Sequence, residues 1–153
     1  MAAVTKSPST EAMEQIVKRI NSATTYCIDV RAESTEEIVD ELEELGTQGL
    51  RVDVVTEDEE TLNETIDVEN RSSLQIRIWI RKKITSTSND EIDPLKLVVR
   101  QIFQRINNFD SSDSRVKVWE CDLDSKQNPD KDLLRNNRVF VSSILLRVEV
   151  EAS

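Results

Sequence analysis

The sequence predicts an α+β fold: a single, mostly antiparallel β-sheet with helices packed on one face. Three observations predict it. Stretches of period-two alternation come in runs, LRVDVVTED then RSSLQIRIWIRKK, and RVKVWECDL then RVFVSSILLRVEV, so sequence neighbours can pair rather than alternate strictly with helices. The helical stretches carry one apolar stripe each, and a stripe needs one sheet face to cover it. Finally, 153 residues of which 37% are apolar fill one moderate core, built mostly of Ile, Val and Leu because aromatics are only 4%.

The expected order is α-β-α-β-β-α-β-β. Residues 1–9 are small and polar and read as a loose tail, leaving 10–153 as one domain. The first helix is expected to be capped by Ser9 or Thr10, with Glu11 and Glu14 in its first turns and Met13, Ile16, Val17 and Ile20 as its stripe. TYCIDV (25–30) alternates as a strand with Tyr26, Ile28 and Val30 on one face, and STEEIVDELEELG (34–46) reads as a short amphipathic helix over Ile38, Leu42 and Leu45. A strand from Leu50 follows, with Leu50, Val52 and Val54 inward. EDEETLNETIDVEN (57–70) has no period and reads as a loop.

The next strand, about 72–84, divides cleanly by alternation. Leu74, Ile76, Ile78 and Ile80 form a buried side; Gln75, Arg77, Trp79 and Arg81 form the other. Beyond it, Asp93 and Pro94 suit the N-cap and first position of a helix. Its stripe is Leu95, Val98, Val99, Ile102 and Ile106, with Lys96, Arg100, Gln104 and Arg105 opposite. DSKQNPDKDLLRNN is a polar link to the last strand, where Phe140, Ile144, Leu146, Val148 and Val150 share one side and Arg147 and Glu149 the other.

Charge narrows the function classes. The chain carries −10 overall, and residues 33–69 hold 15 acids against the single base Arg51. The remainder holds 15 acids and 19 bases, so a very acidic middle accompanies a mildly basic rest. Such polarity suits charge-steered self-association or docking to a protein, and argues against a nucleic-acid-binding domain with its basic face. No apolar run approaches bilayer length and no apolar leader opens the chain, so no membrane partner is expected and folding is expected in a cytoplasm.

Residues that carry chemistry are scarce. Histidine is absent, which removes the commonest general base and transition-metal ligand. Cys27 and Cys121 are too few for a zinc site or disulfide framework, and both read as small buried hydrophobes. No phosphate-loop, dinucleotide, hydrolase or zincin motif occurs. The acids of DVVTEDEETLNE lack the glycine with which a calcium loop turns, and Glu36-Glu37 and Glu43-Glu44 spread around a helix instead of converging. No catalytic residue, metal site or cofactor is expected. The Arg77-Trp79-Arg81 face is left, with one aromatic where a base-stacking platform uses two or three. It reads as a covered sheet face or a subunit contact, since Trp and Arg are enriched in interface hot spots.

LRVDVVTED, ENRSSLQIRIWIRKKI, the helix DPLKLVVRQIFQRI and the terminal NRVFVSSILLRVEV, taken in order, resemble small phage and prophage virion proteins. With the N-terminal helix and the hydrophilic link, the order is similar to that of phage tail-terminator (tail-completion) proteins, over about residues 10–150. The acidic 34–46 stretch and the two glycines depart from that pattern. The resemblance implies a virion structural protein that forms a ring, typically a hexamer, on the end of the tail tube. Such a ring stops tube polymerisation and joins the tail to head-side connector proteins; in contractile tails it also meets the sheath, and DNA passes only as cargo. A head-closure or connector component of the same neck fits the pattern as well, with a small nucleic-acid-binding module as the more distant alternative. A ring requires two unlike patches per subunit. The expected patches are the Arg77, Trp79, Arg81 face and the acidic Glu36, Glu37, Asp40 and Glu41.

Overall fold

In the computed structural model, which describes residues 7–35, 50–61, 71–107, 109, 116–123 and 130–151, seven elements follow one another. They are α1 (Pro8–Asn21), β1 (Ala32–Ser34), β2 (Arg51–Thr61), β3 (Arg71–Lys83), α2 (Asn89–Ile106), β4 (Val116–Leu123) and β5 (Val139–Glu151). The strands make one five-stranded sheet in the order β1-β2-β3-β5-β4, parallel between β1 and β2 and antiparallel elsewhere. The architecture is α+β. Because β5 lies antiparallel between β3 and β4, those two run the same way, and β3-α2-β4 is a crossover split by the last strand.

The core follows residue parity. Leu74, Ile76, Ile78 and Ile80 of β3 are at most 1% exposed. They join Phe140, Ile144, Leu146, Val148 and Val150 of β5, Val52 and Val54 of β2, and the stripes of both helices in one apolar cluster. β3, the middle strand, pairs along its whole length with β5, from Arg71↔Glu151 to Lys83↔Val139. A four-aliphatic face on the central strand is therefore covered from every side. At about 1.5–3 kcal/mol per fully buried Leu or Ile, it is a major part of the driving force.

Several boundaries differ from the sequence expectation, each for a local reason. α1 begins at Pro8, within the expected tail, because Ser7 is its cap: Ser7 Oγ accepts from Thr10 N at 3.2 Å, and Pro8 occupies a position that needs no donor. TYCIDV is not a strand. Tyr26, Ile28 and Val30 do pack on the core as the alternation required, but at Cys27 the segment bonds to α2 instead of to a ladder. The backbone N–H of Cys27 donates to Gln101 Oε1 at 3.0 Å and its Sγ to Pro94 O at 3.3 Å. Cys27 is consequently exposed, not a buried hydrophobe. The parallel pairing comes later, at β1, where Asn21 holds both the N–H and C=O of Ala32 through its side-chain amide, at 2.7 and 3.1 Å.

α2 starts at Asn89, four residues before the expected Asp93 cap, so Pro94 lies inside the helix. Glu91 overrides the Asp93-Pro94 signal. Its carboxylate accepts from the N–H groups of Thr85 and Ser86 at 2.7 and 2.9 Å and from both hydroxyls, which winds the incoming chain against the first turn. Arg105, expected on the solvent side of α2, is half-buried and donates to Arg19 O and to Ser22 Oγ, tying α2 to α1. The expected loop from Glu57 is strand as far as Thr61, and the bulge between Thr56 and Asp58 absorbs the break in period. The polar link before β5 contains a helical turn of the wide π type, Leu133–Asn137, preceded by two α-helical residues. Of the predicted helix 34–46, Ser34 instead ends β1, and residues 36–46 lie outside the described residues.

Candidate functional site

The sheet face opposite the core is where the sequence placed its candidates, and it divides into two halves. The first is centred on β2 and β3. Asp53 of β2 is 1% exposed and Arg81 of β3 is 4% exposed; Arg81 Nη2 lies 2.9 Å from Asp53 Oδ2, and Arg51 Nε reaches the same oxygen at 3.0 Å. Arg81 is thus interior, as the covered-face expectation for this side of β3 has it, and is withdrawn from the surface. Strand parity puts it on the second face, but the carboxylate one strand away draws it inward.

Arg77 and Trp79 remain partly accessible, and they too have internal partners. The Arg77 guanidinium pairs with Glu57, the bulge residue of β2, and donates to Ser143 Oγ of β5 at 3.0 Å. It also lies over the Trp79 ring, 5.5 Å from the centroid. The Trp79 indole packs with Val139, Val141 and Leu133, a small second apolar cluster under the helical turn. Both sides of β5 are therefore buried at its start, where one side had been expected. The structure gives Arg77 and Arg81 separate internal carboxylate partners, Glu57 and Asp53, and sets Arg77 over the Trp79 ring. Glu36, Glu37, Asp40 and Glu41, the acidic candidates, lie outside the described residues.

The second half lies on β4 and β5 and was not singled out from the sequence. A bulge between Val118 and Glu120 interrupts the β4–β5 register, and Trp119 is the residue it displaces. Trp119 is 45% exposed, one of two exposed large hydrophobics among the described residues; the other is Leu97 on α2. Arg147 of β5 lies 5.8 Å from the Trp119 ring centroid and 3.3 Å from Glu120 Oε2, with about half of each charged side chain in water. Lys117 faces Glu149 across the pair. An aromatic on an edge strand, flanked by charges of both signs, has the composition of an interface hot spot. The available signal was the WE dipeptide in RVKVWECDL, where strict alternation breaks.

The two cysteines differ. Burial, helped by the Asp122 carboxylate, pushes the Cys121 thiol up to about 12, so it stays protonated and inert. Among the described residues, no group of three or more Cys, Asp or Glu side chains is arranged to hold a metal ion. No protein-family model matches the chain, and no curated protein matches it.

Proposed function

We propose that the chain is a structural subunit of a phage tail neck: a tail terminator that assembles as a ring on the end of the tail tube, stops its growth and presents a docking face to the head-side connector. The element order supports this reading, and one surface feature carries it. The β4–β5 half of the outer face places Trp119 between Lys117, Glu120 and Arg147 on an edge strand, whereas the β2–β3 half spends its charges internally. A ring joins unlike patches of neighbouring copies. The Trp119 patch is one, and the acid-rich stretch within 33–69, with its net of −14, supplies the unlike one. Charges of both signs around one aromatic give register and orientation more than raw affinity, as a closed ring needs.

The nucleic-acid alternative loses its best surface here, because the guanidiniums of Arg77 and Arg81 are held by carboxylates and by the Trp79 ring. The test is assembly on tail tubes. Purified chain mixed with tubes is expected to cap them in rings seen by negative-stain imaging and to fix their length. If only monomers persist when tubes are present, the reading is wrong.

A further inference from the structure

The helical turn before β5 and the start of α2 face each other across an open cavity of about 420 Å³. Four cations line it: Lys96 from α2, and Lys131, Arg135 and Arg138 from the turn, with Ile92 and Leu134 as its apolar part. Their company is unusual for this chain. Four arginines of the sheet, Arg51, Arg77, Arg81 and Arg147, each have a carboxylate partner, and the chain carries 30 acids. Yet none of the four cations at the cavity is in an ion pair among the described residues. Asp90, Asp93 and Asp132 lie on the same elements without lining the cavity, and Glu91 is occupied by Thr85 and Ser86.

The cavity walls are held in place before any ligand arrives. Asp130 Oδ1 accepts from the N–H groups of Asp132 and Leu133 at 3.0 and 3.2 Å, which starts the turn. Arg138 closes it in the left-handed region, at φ 54°, with its N–H donating to Leu133 O. A non-glycine residue there is strained and persists only where its surroundings demand it. The Arg138 carbonyl then accepts from Ile84 N at 2.9 Å, tying the turn to the end of β3 just ahead of α2. Thr87 and Asn89, at the start of α2, complete the lining.

We propose that this cavity binds a small polyphosphate anion, a ligand carrying two or three linked phosphates. Four cations lining one cavity exceed what one carboxylate or one phosphate needs, and the two guanidiniums offer the planar fork that phosphate oxygens match. The volume suits a small molecule. A DNA duplex would need an extended basic face, which a chain of net −10 with one concave cluster does not offer. The site does not depend on the ring reading.

The experiment is calorimetric titration of the full chain with inorganic tripolyphosphate at low ionic strength, with sulfate and a short DNA duplex as separate arms. Saturable binding of one tripolyphosphate per chain is expected, weakened about tenfold or more by Arg135→Ala and further by adding Lys131→Ala. Lys18→Ala, which removes an exposed cation on α1 that does not line the cavity, is expected to leave the affinity unchanged. Circular dichroism confirms that each variant is folded, and Arg135→Gln repeats the test at the same exposed position. The proposal is overturned if tripolyphosphate shows no saturable binding, if Lys18→Ala weakens it as much as Arg135→Ala, if sulfate binds equally well, or if only the duplex binds.

Discussion

Asp53 lies between two arginines that face each other directly across the β2–β3 pair. Arg51 and Arg81 are register partners, and like charges in that position repel; the Asp53 carboxylate, 3.0 Å from one and 2.9 Å from the other, turns the repulsion into an ion triad. Arg81 and Asp53 are almost fully buried, so this triad fixes β2 against β3 and withdraws Arg81 from the surface.

Removing the acid should therefore be costly. Asp53→Ala is expected to destabilise by about 3–5 kcal/mol, because it leaves a buried guanidinium unpaired opposite a second one. Asp53→Leu combined with Arg81→Leu should recover most of that loss. Urea unfolding midpoints of the single and double variants form the cycle, and additive losses would show that the pair is not coupled.

Glu91 makes stability at the α2 start depend on acid pH. The Thr85 N–H first, and with it the Thr85 hydroxyl and the Ser86 N–H and hydroxyl, hold its carboxyl down at about 2 against an ordinary value of 4.5, although burial pushes the other way. A depressed carboxyl contributes stability that is fully present above the unfolded value and is lost as pH falls through the folded one. Wild type should thus be more stable than Glu91→Gln at pH 6, with the gap closing between about pH 4.5 and about pH 2. Thermal melts of both proteins across that range are the check; a gap independent of pH would remove the carboxylate from the account.

The thiols should separate under a disulfide reagent. At pH 8 the exposed Cys27 is expected to react in the native protein, and Cys121, with its thiol pushed up to about 12, only after denaturation. Titrating Cys27→Ser distinguishes them: rapid native labelling of that variant would contradict the placement of Cys121.

Trp119 should matter to assembly and hardly to folding. As a half-exposed residue, Trp119→Ala is expected to shift stability by only about 0.5 kcal/mol, whereas Trp79→Ala, which empties the second apolar cluster, should cost about 3 kcal/mol or more. On tail tubes, Trp119→Ala combined with Arg147→Glu should lose capping. Tubes of normal, fixed length with that double variant would show that the patch is not an interface.

Alternation and helical spacing by themselves determined the α+β class, four of the five strands, and most of the core, though not Val116, Val118 or Val139. β3 is the clearest case: the period of two alone separates Leu74, Ile76, Ile78 and Ile80 from Gln75, Arg77, Trp79 and Arg81, because side-chain direction in a strand is a local property. Cap and loop signals carried less. Asp93 and Pro94 read as a helix start on their own, and only the hydrogen bonds from Glu91 to Thr85 and Ser86 moved it to Asn89. The candidate site was legible only as a face. Whether Arg81 meets solvent or Asp53 depends on which strand lies beside β3 and in what register, a matter settled between residues 28 positions apart. The same holds for the bulge that displaces Trp119, and for the cavity that gathers Lys96 with Lys131, Arg135 and Arg138. Side-chain direction is written in local sequence, but the partner a charge finds is set by long-range pairing, and only the tertiary structure decides it.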